Sequence, residues 1–500
     1  MNNLLSVIVN EAGFEYDIHS LVKAFYPAQD VKVFVSDSDD GENNVISSGG
    51  GLPDISLTFS REKITLSLIG DGNGNSNKDF CGYKVMLQQH MERAQIKNAL
   101  KQLIYTALSE YTGKTLPWGT LTGIRPTKIP MTMMEENISD EDIMQYMKDT
   151  YYISEEKGTL AIDIARREKA LLDTLHYENG YSLYIGIPFC PTTCLYCSFT
   201  SYPIVSWEKR VSDYLNALEK EIDFVADFYK DKILDTIYIG GGTPTTLKAP
   251  ELERLLHKIH HSLDLSHLKE FTVEAGRADS ITIEKLEVLK EYGVTRISVN
   301  PQTMNQKTLD LIGRRHTVEQ VKDAFYLARE VGFTNINMDI ILGLPEETTQ
   351  EVQHTVNEIV KLQPDSLTVH SLAIKRASKL SRWIEEKGIS MLNNTEETMQ
   401  IAMQGALQLH MQPYYLYRQK NMSGNFENVG YATEGNYGIY NILIMEEKQT
   451  IVALGAGSIT KRVYGDGRIE RCDNVKDVGL YIEKIDEMIE RKKKLGGFED

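Results

Sequence analysis

The chain has 500 residues, of which 41% are hydrophobic and 25% are charged, and its formal net charge is -17. Its length exceeds the size at which one hydrophobic core keeps growing, so we expect two or three globular domains. The acidic balance argues against nucleic acid as a main partner, because phosphate binding needs a local or net excess of lysine and arginine.

The first 172 residues are predicted to form an α+β domain. Short β-like runs such as LLSVIVN, VKVFVSD, ISLTFS and KITLSLI accompany a helical stretch near residues 84–110. The opening residues lack the basic start and cleavage site of a signal peptide, and no window approaches the roughly 18 consecutive apolar residues of a membrane span. We therefore expect a cytoplasmic protein with no membrane-spanning segment.

Residues 173–375 are predicted to form a barrel of parallel strands. From residue 181 to 372, apolar strand-like runs alternate with amphipathic helical stretches, and the runs are too continuous for a half-exposed antiparallel sheet. Six such βα units predict a sheet curled into part of a barrel, with the loops after the strands on one rim. Residues 376–500 begin with a helical pattern and then mix short strands with a charged helix, so we predict a separate C-terminal domain.

The stretch IPFCPTTCLYCSFTSY, residues 187–202, holds three of the chain's five cysteines, Cys190, Cys194 and Cys197. It follows the first predicted barrel strand, on the rim where active sites of such folds lie. An odd number of cysteines with three clustered does not form a disulfide framework, and such clusters in a reducing compartment are typical of metal-binding or catalytic sites. Cys81 and Cys472 stand alone, and we interpret them as ordinary small residues.

Thiolates are soft ligands that suit both zinc and iron–sulfur clusters. Structural zinc needs four ligands, and the nearest histidines are too remote in sequence to complete this loop locally, although a fourth ligand could come from elsewhere in the chain. Three thiolates suit a four-iron cluster that leaves one iron open for a small molecule. We therefore favour an iron–sulfur cluster on these cysteines over zinc.

The ends of the later predicted strands carry further candidate groups. Glycines 240–242 follow the second strand, where missing side chains allow backbone N–H groups to converge on a ligand; the alternative is a tight turn. Glu274 closes the third strand, Gln302 and Arg314 follow the fourth, and Asp339 is an acid in an apolar strand. Buried acids are rare unless they are paired or functional. Together these groups could bind a zwitterionic nucleoside.

The ordered motifs YIGIPFCPTTCLYC, GGGTPT, VEAG, PQTMN…IGRRH and NMDIILGLP resemble those of radical S-adenosylmethionine (SAM) enzymes, and in particular the oxygen-independent coproporphyrinogen III oxidase family. The likeness covers residues 181–374, and WGTLTGIRPTKI and YLYRQKN extend it to the HemZ branch. It implies a TIM-like partial (β/α)6 radical SAM barrel, flanked by an N-terminal and a C-terminal α+β domain. It also implies a 4Fe-4S cluster on the three cysteines and SAM in contact with nine positions: Tyr184, Gly241, Gly242, Thr243, Glu274, Gln302, Arg314, Asp339 and Ala373.

The same resemblance implies an activity. In that family, a 5′-deoxyadenosyl radical removes hydrogen from the β-carbon of a propionate group, and loss of carbon dioxide and an electron leaves a vinyl group. The chain would then be an oxidoreductase resembling coproporphyrinogen dehydrogenase, which converts coproporphyrinogen III to protoporphyrinogen IX in haem and porphyrin biosynthesis. A tetrapyrrole substrate and an electron donor such as flavodoxin or ferredoxin are the implied partners.

Two departures weaken the oxidase assignment. The oxidase pattern has a fourth cysteine two residues beyond the third, and a histidine between the strand's tyrosine and IPFC, where this chain has Phe199 and Gly186. The related HemW haem chaperones also lack that fourth cysteine, so a haem-binding chaperone without oxidase activity is an alternative, and a radical SAM enzyme on another substrate is a third. Four cationic residues are candidates, by charge alone, for binding the propionates: Arg125, Lys128, Arg418 and Lys420. The alternative for each is an ordinary solvated base on the protein surface.

Overall fold

A computed structural model of the chain describes residues 4–27, 29–36, 54–68, 82–123, 125–197, 201–374, 378–388, 392–419 and 426–495. The chain divides into two compact units, residues 1–162 and 163–500. The second unit holds both the predicted barrel and the predicted C-terminal segment, and the domain boundaries after residues 172 and 375 stay predictions. Among the described residues, no helix has both the length and the apolar composition needed to cross a membrane.

The first unit has the predicted α+β composition. Its strands are β1 (Leu4–Val9), β2 (Asp30–Val35), β3 (Ile55–Phe59), β4 (Lys63–Leu68) and β5 (Gly82–Met86). Its helices are α1 (Glu15–Phe25), α2 (Arg93–Thr112), α3 (Lys128–Glu135) and α4 (Asp140–Tyr151). The sheet order is β2-β1-β3-β4-β5, and β1 runs parallel to both of its neighbours. Alternate residues of β1, namely Leu5, Val7 and Val9, are buried in one core with the apolar faces of α1 and α2.

Helix α5 (Glu155–Leu172) begins in the first unit and ends in the second. The strands of the second unit are β6 (Gly180–Ile187), β7 (Phe189–Cys190), β8 (Tyr202–Pro203), β9 (Ile233–Gly241), β10 (Glu270–Gly276), β11 (Arg296–Val299), β12 (Ile336–Leu342), β13 (Ser366–Ser371), β14 (Gln412–Tyr417), β15 (Asn428–Ala432), β16 (Thr450–Leu454), β17 (Ile459–Val463) and β18 (Ile469–Asp473). Its helices are α6 (Val211–Phe228), α7 (Ala249–Ser262), α8 (Ile283–Glu291), α9 (Gln306–Leu311), α10 (Val318–Val331), α11 (Thr349–Leu362), α12 (Lys379–Lys387), α13 (Glu396–Gln408), α14 (Ile439–Glu446), α15 (Val478–Glu483) and α16 (Ile485–Lys494).

Within the described residues, six parallel strands form the centre of a large sheet in the order β6-β9-β10-β11-β12-β13, which confirms the predicted partial (β/α)6 barrel. Each pair of successive strands is connected through at least one helix. The strands are buried along almost their whole length, as parallel strands covered by helices are. Their carboxyl ends consequently meet on one rim.

Local sequence signals set the helix ends around this barrel. At the start of α11, the Glu351 side chain accepts a hydrogen bond from the Thr348 N–H at 2.8 Å, and the Thr348 hydroxyl accepts one from the Gln350 N–H at 3.2 Å. Along α11, the buried residues Val352, Val356 and Ile359 recur at helical spacing and form one apolar face. Such reciprocal caps satisfy N–H groups that the first turn leaves without partners.

The C-terminal strands join the barrel sheet at both edges. β15 pairs antiparallel with β13, β14 pairs with β15, and β16 pairs parallel with β6 on the opposite edge. An open barrel leaves two strands with unpaired backbone groups, and these additions satisfy them. The predicted C-terminal α+β composition is present, but its strands share a sheet with the barrel.

Candidate cofactor and substrate site

A cavity of about 390 Å³ opens at the carboxyl ends of the barrel strands. Its volume lies in the range of pockets for small molecules. Most of the predicted site residues line it: Cys190, Cys194, Cys197, Gly241, Gly242, Thr243, Glu274, Gln302, Arg314, Asp339 and Ala373. Tyr184 lies just behind the lining, where its hydroxyl oxygen would be 3.2 Å from a Cβ placed on Gly241. The structure thus brings the predicted positions together.

Cys190 ends β7, Cys194 and Cys197 lie on the loop that follows it, and all three are half-buried. The Thr243 hydroxyl donates to Cys190 Sγ at 3.5 Å. Burial raises the pKa of the Cys190 thiol to about 11, and the hydrogen bond from Thr243 opposes this shift. A thiol with so high a pKa is a poor free nucleophile, whereas a bound metal removes its proton outright.

The three cysteine thiols line one cavity. None of the described cysteines forms a disulfide. In the described part of the chain, no group of three or more His, Cys, Asp or Glu residues is arranged to hold one metal ion. Ligands of a single ion must converge on a point, but the thiolates of a four-iron cluster bind different iron atoms. Three separate thiol groups around one cavity therefore suit the cluster.

The glycine run at the end of β9 allows its backbone to lie close to the backbone of Ile187 and Phe189. The N–H groups of Gly242 and Thr243 donate to the carbonyls of Ile187 and Phe189 at 2.8 and 2.7 Å, so these two are engaged within the chain. A Cβ on Gly242 would lie 2.5 Å from the Phe189 carbonyl oxygen. We expected the glycines to free N–H groups for a ligand; at these positions they instead let β9 lie against the cysteine loop, because a side chain would clash there.

Glu274 is a buried acid with a shared hydrogen bond. The hydroxyl of Tyr238 donates to Glu274 Oε1, and Tyr238 itself stacks on Tyr440 at a ring distance of 4.5 Å. Burial raises the pKa of Glu274 to about 7, while the hydrogen bond from Tyr238 opposes the shift and the charge of Asp339 adds to it. Glu274 therefore changes its charge near neutral pH. In its ionised form it is suited to bind an amino group.

Asp339 has the opposite character. Asn337 Nδ2 donates to Asp339 Oδ1 at 2.6 Å, and His370 Nε2 lies 3.7 Å from Asp339 Oδ2. Burial raises the pKa of this carboxyl, but His370 and Asn337 outweigh burial, and the net shift is downward. Asp339 is therefore an ionised acceptor in the cavity. The sequence analysis missed His370, which β13 places on the same rim.

Gln302 and Arg314 present polar atoms that the protein itself does not satisfy. Gln302 adopts a φ of +67°, which a non-glycine residue rarely does, and its backbone N–H donates to the Asp339 carbonyl at 2.9 Å. Arg314 Nη1 donates to the Asn300 carbonyl at 2.5 Å. Among the described residues, Gln302 Oε1, Arg314 Nε and Asn300 Oδ1 are buried without hydrogen-bond partners. Buried polar atoms are nearly always paired, so these three fit a polar ligand such as SAM.

Part of the cavity lining comes from the C-terminal segment. We call it the C-terminal wall, and it consists of Tyr415, Tyr417, Gln419, Asn428 and Asn441. It lies on β14, β15 and α14 and the residues next to them. Tyr417 Oη lies 3.4 Å from Nδ1 of His370. The sequence analysis did not assign these residues; the aromatic run in YYLYRQKN was their only local signal.

The candidate propionate-binding cations come from both units of the chain. Arg418 is 5% exposed, and burial lowers the pKa of its guanidinium to about 10 while nearby Glu427 raises it. It is therefore neither a surface base nor one of the cavity-lining residues described above. Arg125 and Lys128 belong to the first unit, and Lys128 is exposed. Lys420 lies outside the described residues.

Of the two residues that depart from the oxidase pattern, the structure describes only Gly186. Phe199 lies outside the described residues. Gly186 lies near the end of β6, and its carbonyl accepts a hydrogen bond from the Tyr214 hydroxyl at 2.6 Å. A Cβ at this position would lie 3.2 Å from the Leu454 carbonyl oxygen and 3.4 Å from the Tyr184 ring. A larger residue here would therefore require a small shift of β16.

Comparisons with known proteins agree with this geometry. Residues 184–359 match the model of the radical SAM superfamily. The chain is 40% identical over 445 residues to the oxygen-independent coproporphyrinogen-III oxidase-like protein HemZ of Bacillus subtilis (strain 168), which covers 88% of this chain and 89% of that protein. It is also 42% identical over 195 residues to the haem chaperone HemW of the same organism, which covers 39% of this chain and 51% of that protein.

A solved structure shows the fold. The coproporphyrinogen III oxidase HemN from Escherichia coli, a radical SAM enzyme, superposes with a TM-score of 0.51 over 64% of this chain and 72% of that chain. The two sequences are 22% identical over this region, so the likeness bears on the fold alone.

Proposed function

Because the chain belongs to the family of oxygen-independent coproporphyrinogen-III oxidase-like HemZ proteins in the radical SAM superfamily, we propose that it oxidatively decarboxylates propionate groups of coproporphyrinogen III. One observation carries the proposal. The three cysteines share a single cavity with ionisable groups suited to the amino, carboxylate and ribose parts of SAM. Each of two propionates would become a vinyl group with release of carbon dioxide, 5′-deoxyadenosine and methionine, and the released electron would pass to an electron acceptor, so that protoporphyrinogen IX is formed.

The proposed cofactors are a 4Fe-4S cluster on Cys190, Cys194 and Cys197 and SAM. When bound, they would supply hydrogen-atom abstraction from the propionate β-carbon, which is attached to a pyrrole ring. The remaining predicted contacts to SAM are proposed for Tyr184, Gly241, Gly242, Thr243, Glu274, Gln302, Arg314, Asp339 and Ala373. A small electron carrier such as flavodoxin or ferredoxin is the proposed electron donor.

Three charged groups of the cavity would hold SAM in this mechanism. The ionised Glu274 would accept hydrogen bonds from the amino group of SAM, and the Arg314 guanidinium would bind its carboxylate. The Asp339 carboxylate, to which Asn337 donates a hydrogen bond at 2.6 Å, would accept hydrogen bonds from the ribose hydroxyls. The C-terminal wall orients the propionate-bearing substrate and excludes water from the reacting carbon.

The test is product analysis after anaerobic reconstitution. The protein is incubated with coproporphyrinogen III, SAM, dithionite and an electron acceptor, and both porphyrins and 5′-deoxyadenosine are quantified. Protoporphyrinogen or its mono-vinyl precursor should appear together with 5′-deoxyadenosine, and a Cys194→Ala control should form neither. Unchanged tetrapyrrole in the presence of an intact cluster would overturn the proposal.

A haem-binding role without oxidase activity is the second candidate. The chain is 42% identical over 195 residues to a haem chaperone, and Phe199 departs from the oxidase pattern as the chaperones do, whereas Gly186 departs from both patterns. In this case, titration with haem should give a stoichiometric absorbance change, and coproporphyrinogen should be returned unchanged. The same preparation therefore separates the two functions.

A further inference from the structure

Arg277 is a buried arginine that no proposed cofactor contact uses. It follows β10 directly, and its side chain is 3% exposed. Nε and Nη2 donate to the two carboxylate oxygens of Asp279 at 2.9 and 2.6 Å. Nη1 donates to Thr192 at 2.7 Å through the hydroxyl and at 3.3 Å through the carbonyl. Because the guanidinium is planar, this paired contact with Asp279 fixes the direction in which Nη1 points.

Thr192 lies between Cys190 and Cys194, so Arg277 contacts the cysteine loop itself. The Thr192 hydroxyl, which accepts from Arg277, also donates to the Gly313 carbonyl at 3.0 Å. Three residues further on, the Leu195 N–H donates to the Ile312 carbonyl at 2.9 Å. The cysteine loop is therefore bonded to the turn immediately before Arg314.

This turn has its own conformational requirement. Gly313 has a φ of +78°, which glycine adopts without strain, and the turn directs Arg314 to the cavity. Two groups with different tasks, the cysteine thiols and the Arg314 guanidinium, thus share one support. That support runs from Asp279 through Arg277 and Thr192 to Gly313.

We propose that Arg277 is a positioning residue that holds the cysteine loop and the Arg314 turn in one arrangement, so that cluster retention and SAM binding depend on it together. The proposal rests on the proposed cofactors and is independent of the tetrapyrrole substrate. A purely structural role would instead stabilise the fold, whether or not the cluster is present.

The experiment compares four variants of the full chain. Arg277→Gln removes the guanidinium, Arg277→Lys keeps the charge with a different donor geometry, and Thr192→Val removes one hydroxyl at nearly constant volume. Arg329→Gln is the matched control, because Arg329 likewise pairs with an aspartate, Asp365, at 2.7 Å, but its side chain is 28% exposed and does not line the cavity. Three quantities are measured: iron retained against a chelator, affinity for S-adenosylhomocysteine by calorimetry, and the unfolding temperature of the iron-free protein.

Loss of supporting residues around a metal site commonly costs 10- to 100-fold in affinity. We therefore expect Arg277→Gln and Thr192→Val to lose iron to the chelator at least about tenfold faster than the wild type and to bind S-adenosylhomocysteine more weakly. Arg277→Lys should recover part of both effects. The unfolding temperature of the iron-free Thr192→Val protein should stay within the change seen for Arg329→Gln.

Several outcomes would overturn the inference. Full iron retention and ligand affinity in both Thr192→Val and Arg277→Gln would do so, as would an equal loss in Arg329→Gln. A wild-type protein that takes up no cluster would overturn it together with the proposed cofactors. A wild-type protein that retains its cluster but leaves coproporphyrinogen unchanged would remove only the proposed substrate, and the Arg277 variants would still be decisive.

Discussion

The barrel rim and the C-terminal wall line the same cavity and differ in chemistry. The rim carries the ionisable groups, among them the three thiols, Glu274, Asp339 and Arg314. The wall carries amides and phenols, and burial raises the pKa of Tyr417 to about 12, so its hydroxyl stays neutral at working pH. Charged groups bind charged cofactors strongly, whereas neutral donors and acceptors impose shape and orientation. We infer that the rim holds the cofactors and the wall contacts the substrate.

The largest effect should follow from removing a rim thiol. Cys194→Ala should abolish the iron-dependent absorbance after reconstitution, because a four-iron cluster with two thiolate ligands has no third anchor. Cys472→Ala is the matched control, since Cys472 is a buried cysteine on β18, outside the cavity. Iron analysis and the visible spectrum measure both variants. A full cluster in the Cys194 variant would contradict the ligand assignment.

A smaller effect is expected from a rim carboxylate. Glu274 has a pKa of about 7, raised by burial, so its amino-binding form is populated as pH rises through that value. Affinity for S-adenosylhomocysteine, measured by calorimetry between pH 6 and 8, should therefore increase with pH in the wild type. Glu274→Gln should remove much of this dependence and weaken binding roughly tenfold at pH 8, the cost of one hydrogen bond to a charged group.

The control for Glu274 is Glu287→Gln, which alters an exposed acid on α8. It should leave the pH profile of binding unchanged. If Glu274→Gln and the wild type gain affinity in parallel between pH 6 and 8, another group causes the dependence, and Glu274 does not bind the amino group.

A substitution in the C-terminal wall should weaken substrate binding and leave cofactor binding unchanged. Tyr417→Phe removes the hydroxyl that lies 3.4 Å from His370 and leaves the ring in place. We expect about a threefold to tenfold weaker interaction with the tetrapyrrole, the usual range for one neutral hydrogen bond, with unchanged iron content and S-adenosylhomocysteine affinity. Tyr326→Phe, on the exposed face of α10, is the control. A loss of cofactor binding in the Tyr417 variant would place the wall on the cofactor side.

The difference between the two sides also explains what the sequence could predict. Glu274 and Asp339 were identifiable because each lies in one strand of a repeating βα pattern, and parallel strands bring their carboxyl ends to one rim. The cysteine spacing is likewise local. These features require no knowledge of contacts between distant parts of the chain.

The C-terminal wall, in contrast, forms through contacts between distant parts of the chain. It exists because β15 pairs antiparallel with β13, with Val369 opposite Val429, and no local pattern specifies that pairing. For the same reason the sequence did not predict that β14 and β15 extend the barrel sheet, or that Arg418 is buried near Glu427. His370 was missed because one histidine in a strand gives no signal until Asp339 and Tyr417 are placed beside it.

The smallest functional effect should come from the support behind the wall. On α5, Arg167 donates to Gln412 Oε1 at 2.9 Å and to the Pro413 carbonyl at 3.0 Å, at the start of β14. The neighbouring Glu168 is fully buried, and among the described residues neither of its carboxylate oxygens has a hydrogen-bond partner. Burial raises the pKa of Glu168, and the charge of Glu446 raises it further.

A raised pKa in the folded state means that stability is greatest below the ordinary pKa of a carboxyl group and falls as pH rises through the raised value. Glu168→Gln cannot ionise, so its unfolding temperature should decline less than that of the wild type between pH 6 and 9. At pH 9 we expect the free energies of unfolding of the two proteins to have diverged by about 1 kcal/mol, the low end of the cost of a buried unpaired polar group. The kcat/KM should be unchanged. The exposed Glu178→Gln serves as the control. Parallel pH profiles for wild type and Glu168→Gln would show that Glu168 is already ionised in the folded protein across this range, and that burial does not raise its pKa into it.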